Sequence, residues 1–159
     1  MSAFPTHSSR KSKSKTKRGL SASGILGGKQ ILNSNPSSSS EWITLVRQGI
    51  PASAIDAVMN VLEISQLELC KTLNIPIRTL VRRKKEGLLT PEESEKLHRL
   101  ARVTERSVEV FESIDLALDW LKIPNGSLEG ATPLSLLDTD LGSQSVMDIL
   151  GRIEHGVFS

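Results

Sequence analysis

The residues of this chain best equipped for chemistry lie in the run IRTLVRRKK, Ile77 to Lys85. Ile77, Leu80 and Val81 recur at i, i+3 and i+4 and would form the buried side of a helix. Arg78, Thr79, Arg82, Arg83, Lys84 and Lys85 take the remaining positions. On such a helix Arg78 and Arg82 are i, i+4 neighbours, and so are Thr79 and Arg83. A planar guanidinium can donate to guanine O6 and N7 together, which lysine does less specifically. The chemistry this spacing permits is recognition of duplex DNA, with the first helical turn at base edges and later basic residues on phosphates. A solvated basic face on a helical hairpin would have the same composition. A second group closes the chain: Arg152, Glu154 and His155, followed by Val157 and Phe158, apolar residues that protrude past the last helix and could anchor in a pocket.

Catalysis has no comparable footing. No Cys/His pair, metal-ligand spacing or Gly-rich loop in context occurs, and the carboxylates are scattered over expected helix surfaces. GILGGK, Gly24 to Lys29, glances at a phosphate loop but fails, because Ser23 stands where Gly is required and Gln30 replaces Ser or Thr. His98 has no acid–base or ligand cluster around it in sequence and is expected at the surface. The single Cys70 excludes an intramolecular disulfide and a Cys-rich zinc site, and it fits a small core residue in a reducing cytosol. No apolar run approaches the ~20 residues that span a bilayer, and Ser, Lys and Gly fill the N-terminus where a secretory apolar segment would lie. The expectation is a cytoplasmic protein, not an enzyme, without cofactor or metal.

The net charge of +2 hides a polarity along the chain. Residues 1–40 hold seven basic residues and no acid, residues 41–102 ten against eight, and residues 103–159 three against ten. A basic half for nucleic acid and an acidic half for a different partner would explain the asymmetry.

The elements that must position these groups are helices throughout. Trp42, Leu45 and Val46 share a face that ends at Gly49; Pro51 opens another helix with Ala54, Ile55, Val58, Met59 and Leu62 inward. After the break at Ile64, Ser65 caps a short helix, roughly Gln66–Leu73. Asn74 then sits at a turn needing the left-handed conformation, Ile75 plugs it, and Pro76 can begin the helix of the basic cluster. Thr90-Pro91-Glu92-Glu93 reads as a capping box for a helix whose apolar pattern continues through Leu121, with the domain boundary near Arg102–Glu105, where the charge changes sign. Pro124-Asn125-Gly126 ends that element, and Trp120 is expected as a core anchor. Thr132-Pro133 starts a short apolar turn, and Thr139 or Asp140 caps a last helix whose Val146, Ile149, Leu150 and Ile153 form one stripe before Gly156 closes it. Residues 1–40, with six basic residues between Ser8 and Gly19, lack the apolar content for a core and are expected to be a disordered basic tail.

The stretch WLKIPNGSLEGATPLSLLDTDLGSQSVMDILGRIEHGVFS, Trp120 to the end, resembles the C-terminal toxin-binding domain of the Xre/MbcA/ParS antitoxins. The run GLLTPEES, Gly87 to Ser94, matches the same family's interdomain signature, and the likeness covers roughly Trp42 to Ser159. Pro76 departs from the family, where Ser or Thr more often caps the recognition helix. The resemblance implies an all-α fold: a basic tail over 1–40, an Xre-like helix-turn-helix DNA-binding domain over 41–103 and a small helical toxin-binding domain over 104–159. It also implies an antitoxin that represses its own operon at operator DNA through Arg78, Thr79, Arg82, Arg83, Lys84 and Lys85. The partner implied is a RES-type, NAD+-consuming, ADP-ribosyltransferase-like toxin, whose cleft would be covered by Arg152, Glu154, His155, Val157 and Phe158. A homodimer within a larger toxin–antitoxin complex is expected. The alternative is a stand-alone helix-turn-helix repressor whose C-terminal domain only dimerises.

Overall fold

The computed structural model describes residues 20–156. Among them nine α-helices follow one another: α1 (Ala22–Ile25), α2 (Lys29–Leu32), α3 (Ser39–Gln48), α4 (Ala54–Leu62), α5 (Gln66–Leu73), α6 (Ile77–Glu86), α7 (Pro91–Phe111), α8 (Ile114–Lys122) and α9 (Asp140–Glu154). Two 3-10 turns, Gly126–Leu128 and Leu134–Leu136, join α8 to α9. The fold is all-α, as the sequence indicated.

The 21-residue α7 is the axle. The capping box read from sequence forms, with the Glu93 N–H donating to Thr90 Oγ1 at 3.2 Å and Pro91 at the first helical position, where a missing N–H costs nothing. Leu97, Leu100, Ala101 and Val103 are buried, and the buried Thr104 and Ser107 hydroxyls each donate to the carbonyl four residues back at 2.8 Å. α7 packs against α1, α3 and α5 and against α8 and α9, with α1 reaching Glu105 and the start of α9 reaching Arg99. It runs unbroken through residues 102–105, so the change of charge falls inside a helix, and one continuous core spans Leu69 on one side and Leu150 on the other. The helix stops before the expected Leu121. Glu112 takes a left-handed φ of +51°, and Ser113 caps α8 by accepting from the Leu116 N–H at 3.2 Å.

Residues 20–38 do not belong with an unstructured tail. Ala22, Ile25, Leu26 and Leu32 are buried in the main core, and the Ala22 N–H donates to the Glu105 carboxylate on α7. Helices of four residues such as α1 and α2 do not persist alone, because nucleation costs more than so few hydrogen bonds return. Burial of their apolar residues against α7 holds them. The basic run Ser8–Gly19 lies outside the described residues.

Pro51 does not open α4. It forms an isolated antiparallel bridge with Leu88, the Leu89 N–H donating to the Ile50 carbonyl at 2.9 Å, and α4 begins at Ala54. The approach is close enough to require glycine at position 49, where φ is +97° and a Cβ would lie 2.5 Å from the Leu89 carbonyl oxygen. This bridge ties the entry of α4 to the exit of α6. The Ile50 N–H completes the tie by donating to the buried Ser94 Oγ on α7 at 2.8 Å.

Candidate nucleic-acid and partner-binding surfaces

The helix pair α5–α6 is built by local rules. Ser65 and Glu68 form a reciprocal capping box, at 3.1 and 2.8 Å, that starts α5. Asn74 ends it at φ +51°, and Ile75 turns inward with its N–H on the Cys70 carbonyl at 3.0 Å. Cys70 is buried, which pushes its thiol pKa up. Pro76 precedes α6 at φ −58° without a side-chain cap, and Ile77 is the first helical residue.

α6 is rolled differently from the sequence expectation. Only Leu80 of its apolar residues is fully buried, whereas Ile77 and Val81 are 46 % and 40 % exposed. Leu80 is flanked instead by two basic residues drawn into the fold. Arg83 Nε donates to both Glu93 carboxylate oxygens at 2.9 Å, and its Nη1 meets Glu86 at 2.9 Å. Hydrogen bonding to Glu93 raises the Arg83 pKa further above its ordinary value. Lys84 Nζ reaches Asp56 at 2.8 Å and Gln66 at 3.2 Å, bolting α6 to α4 and α5. Long aliphatic stems let both side chains cover apolar surface while their heads find acids, which displaces Ile77 and Val81 to the outside. The six DNA-facing candidates therefore divide. Arg78, Arg82 and Lys85 are exposed on the face opposite Leu80, Thr79 is half-buried at its edge, and Arg83 and Lys84 are held inside ion pairs. Arg82 lies 3.8 Å from Glu86 with its side chain 60 % exposed, a pairing too loose to hold it.

The second surface ends α9. Thr139 Oγ1 caps the helix by accepting from the Gly142 N–H at 3.0 Å, and Val146, Ile149 and Leu150 are buried as expected while Ile153 is partly so. Two ion pairs fix α9 on α7: Arg99 with Asp140 at 2.5 Å near its start, and Arg106 with Glu154 at its end. Glu154 is thus engaged within the fold, and Arg152 and His155 are exposed beside it. Gly156 takes φ +67°. Val157 and Phe158 lie outside the described residues.

His98 is not a surface residue. Its ring lies 4.4 Å, centroid to centroid, from that of Trp42 on α3, and its Nε2 is buried without a partner. Burial, helped by the nearby Arg102 charge, lowers its pKa to about 4, so the ring is neutral. Nothing local to position 98 could have revealed this, since the covering ring comes from another helix.

An open groove of about 350 Å3 between α4–α5 and the segment before α9 is lined by Glu63, Glu68, Lys71, Thr72 and Lys122 among others, with no nucleophile–base pair. Among the described residues no three His, Cys, Asp or Glu side chains are placed to hold a metal ion. No helix among them is long and apolar enough to cross a membrane.

Comparison with known proteins matches the chain in two parts. Residues 41–102 match the Antitoxin Xre-like helix-turn-helix domain, and residues 107–156 match the Antitoxin Xre/MbcA/ParS C-terminal toxin-binding domain. A protein named Antitoxin Xre from Yersinia enterocolitica is 37 % identical over 116 residues, covering 72 % of this chain and 78 % of its own. A Prs ADP-ribosylating antitoxin from a Sphingobium species is 28 % identical over 127 residues, covering 74 % of this chain and 80 % of its own. Among solved structures, a chain of the M. tuberculosis MbcT–MbcA toxin–antitoxin complex superposes with a TM-score of 0.52 at 25 % identity, covering 68 % of this chain and 96 % of that one.

Proposed function

Because the chain belongs to the Xre antitoxin family, we propose that it neutralises a RES-type, NAD+-consuming toxin by laying the end of α9 and the residues after it over the toxin's NAD+ cleft. At the coarser level it is the antitoxin of a toxin–antitoxin system, with a helix-turn-helix domain and a toxin-binding domain, and it is not catalytic. One observation carries the finer reading. The Arg106–Glu154 pair pins the last turn of α9 to α7 while leaving Arg152 and His155 outward, at the edge of a half with three basic residues against ten acids. A cleft that binds an anionic dinucleotide is electropositive, and an acidic partner complements it. Val157 and Phe158 supply apolar anchors for a pocket in that cleft. The relative named for ADP-ribosylation supports the same class of partner chemistry.

The second part of the reading assigns operator binding to α6, with Arg78, Thr79, Arg82 and Lys85 toward the duplex and Arg83 and Lys84 positioning the helix. A homodimer would set two such helices about 34 Å apart, one turn of DNA. The test is co-expression of the full chain with the neighbouring reading frame, read by co-purification and cellular NAD+. A stable complex that restores NAD+, and that weakens when Gly156–Ser159 is deleted, is the expected result. A complex indifferent to that deletion would refute the role of the tail, and the absence of both partner and NAD+ effect would leave a stand-alone repressor.

A further inference from the structure

The function proposed for α6 leaves Ile77 and Val81 unexplained. Both are β-branched, both are more than a third exposed, and they lie one turn apart on a helix whose other outward residues are charged. Each is followed in sequence by an exposed arginine, Arg78 and Arg82. At 100° per residue, Val81 lies about 40° from the edge of the arc occupied by Lys85, Arg78 and Arg82, Ile77 lies about 40° further round, and both lie on the side away from Arg83. An apolar protein partner would have to desolvate three cations to reach this pair, an unfavourable exchange without matching acids. A major groove offers the opposite arrangement, with phosphates and purine acceptors for the cations and, at every thymine, a C5-methyl group for an apolar side chain.

We infer that Ile77 and Val81 read thymine, their branched side chains packing on the C5-methyl groups of two bases near those met by Arg78 and Arg82. This rests on the assignment of α6 to operator DNA and adds sequence preference to it. The ion pairs of Arg83 and Lys84 set the roll that makes the reading possible, because they turn Ile77 and Val81 out of the core. Ile77 occupies the first turn, where a recognition helix meets base edges, and Val81 the second.

The test uses the full chain and the intergenic duplex that precedes its own reading frame, trimmed to the segment it protects from cleavage. Duplexes carrying deoxyuridine for thymine at each protected position remove one methyl at a time and leave every hydrogen-bonding edge intact. Wild-type affinity is expected to fall about fourfold at each of two positions, the factor that burying one methylene-sized group is worth. The Ile77→Ala, Val81→Ala double variant, checked for an unchanged melting temperature, should bind thymine and uracil duplexes equally. Wild-type binding that is tight yet indifferent to uracil would overturn this inference and leave α6 as the DNA helix. Discrimination that persists in the double variant would also overturn it, since the methyl effect would then lie in DNA shape or another residue. No binding to any duplex would remove the assignment of α6 to DNA as well. A shift of the double variant to a smaller species in sedimentation, without uracil discrimination in the wild type, would make the pair a contact between copies of the chain.

Discussion

Two glycines of α9 should respond in opposite directions to the same substitution. In a helix interior, alanine is favoured over glycine by about 1 kcal/mol, because glycine loses more backbone freedom on folding. Gly151 has nothing within 4 Å of its added Cβ, so Gly151→Ala should stabilise the chain by about 0.5–1 kcal/mol. Gly142 lies where α9 crosses the turn Leu134–Leu136, and a Cβ there would sit 1.9 Å from the Leu136 carbonyl oxygen and 2.8 Å from its carbon. Ordinary contact begins at 3.4 Å, so turn and helix must part by about 1.5 Å. The obstacle is main chain, which cannot rotate away as a side-chain end could. Overpacking of this kind costs about 1–3 kcal/mol, and a backbone clash belongs at the upper end. Setting the propensity gain against it leaves Gly142→Ala less stable by about 2 kcal/mol, or roughly 4–8 °C in melting temperature for a chain of this size. Urea titration of both variants, followed by far-ultraviolet circular dichroism, measures the difference directly. A Gly142→Ala midpoint equal to or above wild type would refute the close packing of α9 on that turn.

Three further outcomes follow from the same geometry. Leu26→Ala, at a fully buried position outside both matched domains, should cost about 2–4 kcal/mol in urea unfolding, whereas a residue in an unfolded tail would cost nothing. Arg83→Gln should lower the melting temperature and leave the salt slope of DNA binding unchanged, while Arg82→Gln should leave stability alone and reduce that slope by about one. His98 has a folded pKa of about 4, below its unfolded value of 6.5, so the unfolded chain binds more protons between those values. Its contribution is present above pH 6.5 and is lost as pH falls to about 4, about 2–3 kcal/mol after allowing for residual solvent access, and His98→Phe should flatten stability over that window.

The sequence by itself determined what depends on near neighbours. The caps at Ser65, Thr90 and Thr139, the left-handed Asn74, the apolar stripe of α9 and the helix-turn-helix spacing all use contacts within one or two turns. Such contacts are written in the order of residues, and they fixed the all-α class and the place of the basic helix, while the C-terminal surface rests on the family resemblance of Trp120–Ser159. Tertiary structure decided whatever depends on a partner far along the chain. Ala22 meets Glu105 across 83 positions, which is why short helices in a polar N-terminal stretch join the core. Trp42 covers His98 from another helix, and Leu136 makes Gly142 obligatory from a neighbouring turn. The roll of α6 shows the distinction most directly. Its periodicity marks Ile77, Leu80 and Val81 as equals, but Glu93, Asp56 and Gln66 attract Arg83 and Lys84 to either side of Leu80, and only Leu80 stays inside. Periodicity says that a helix has an apolar side. Which few degrees of rotation bury it depends on charges brought close by the rest of the fold.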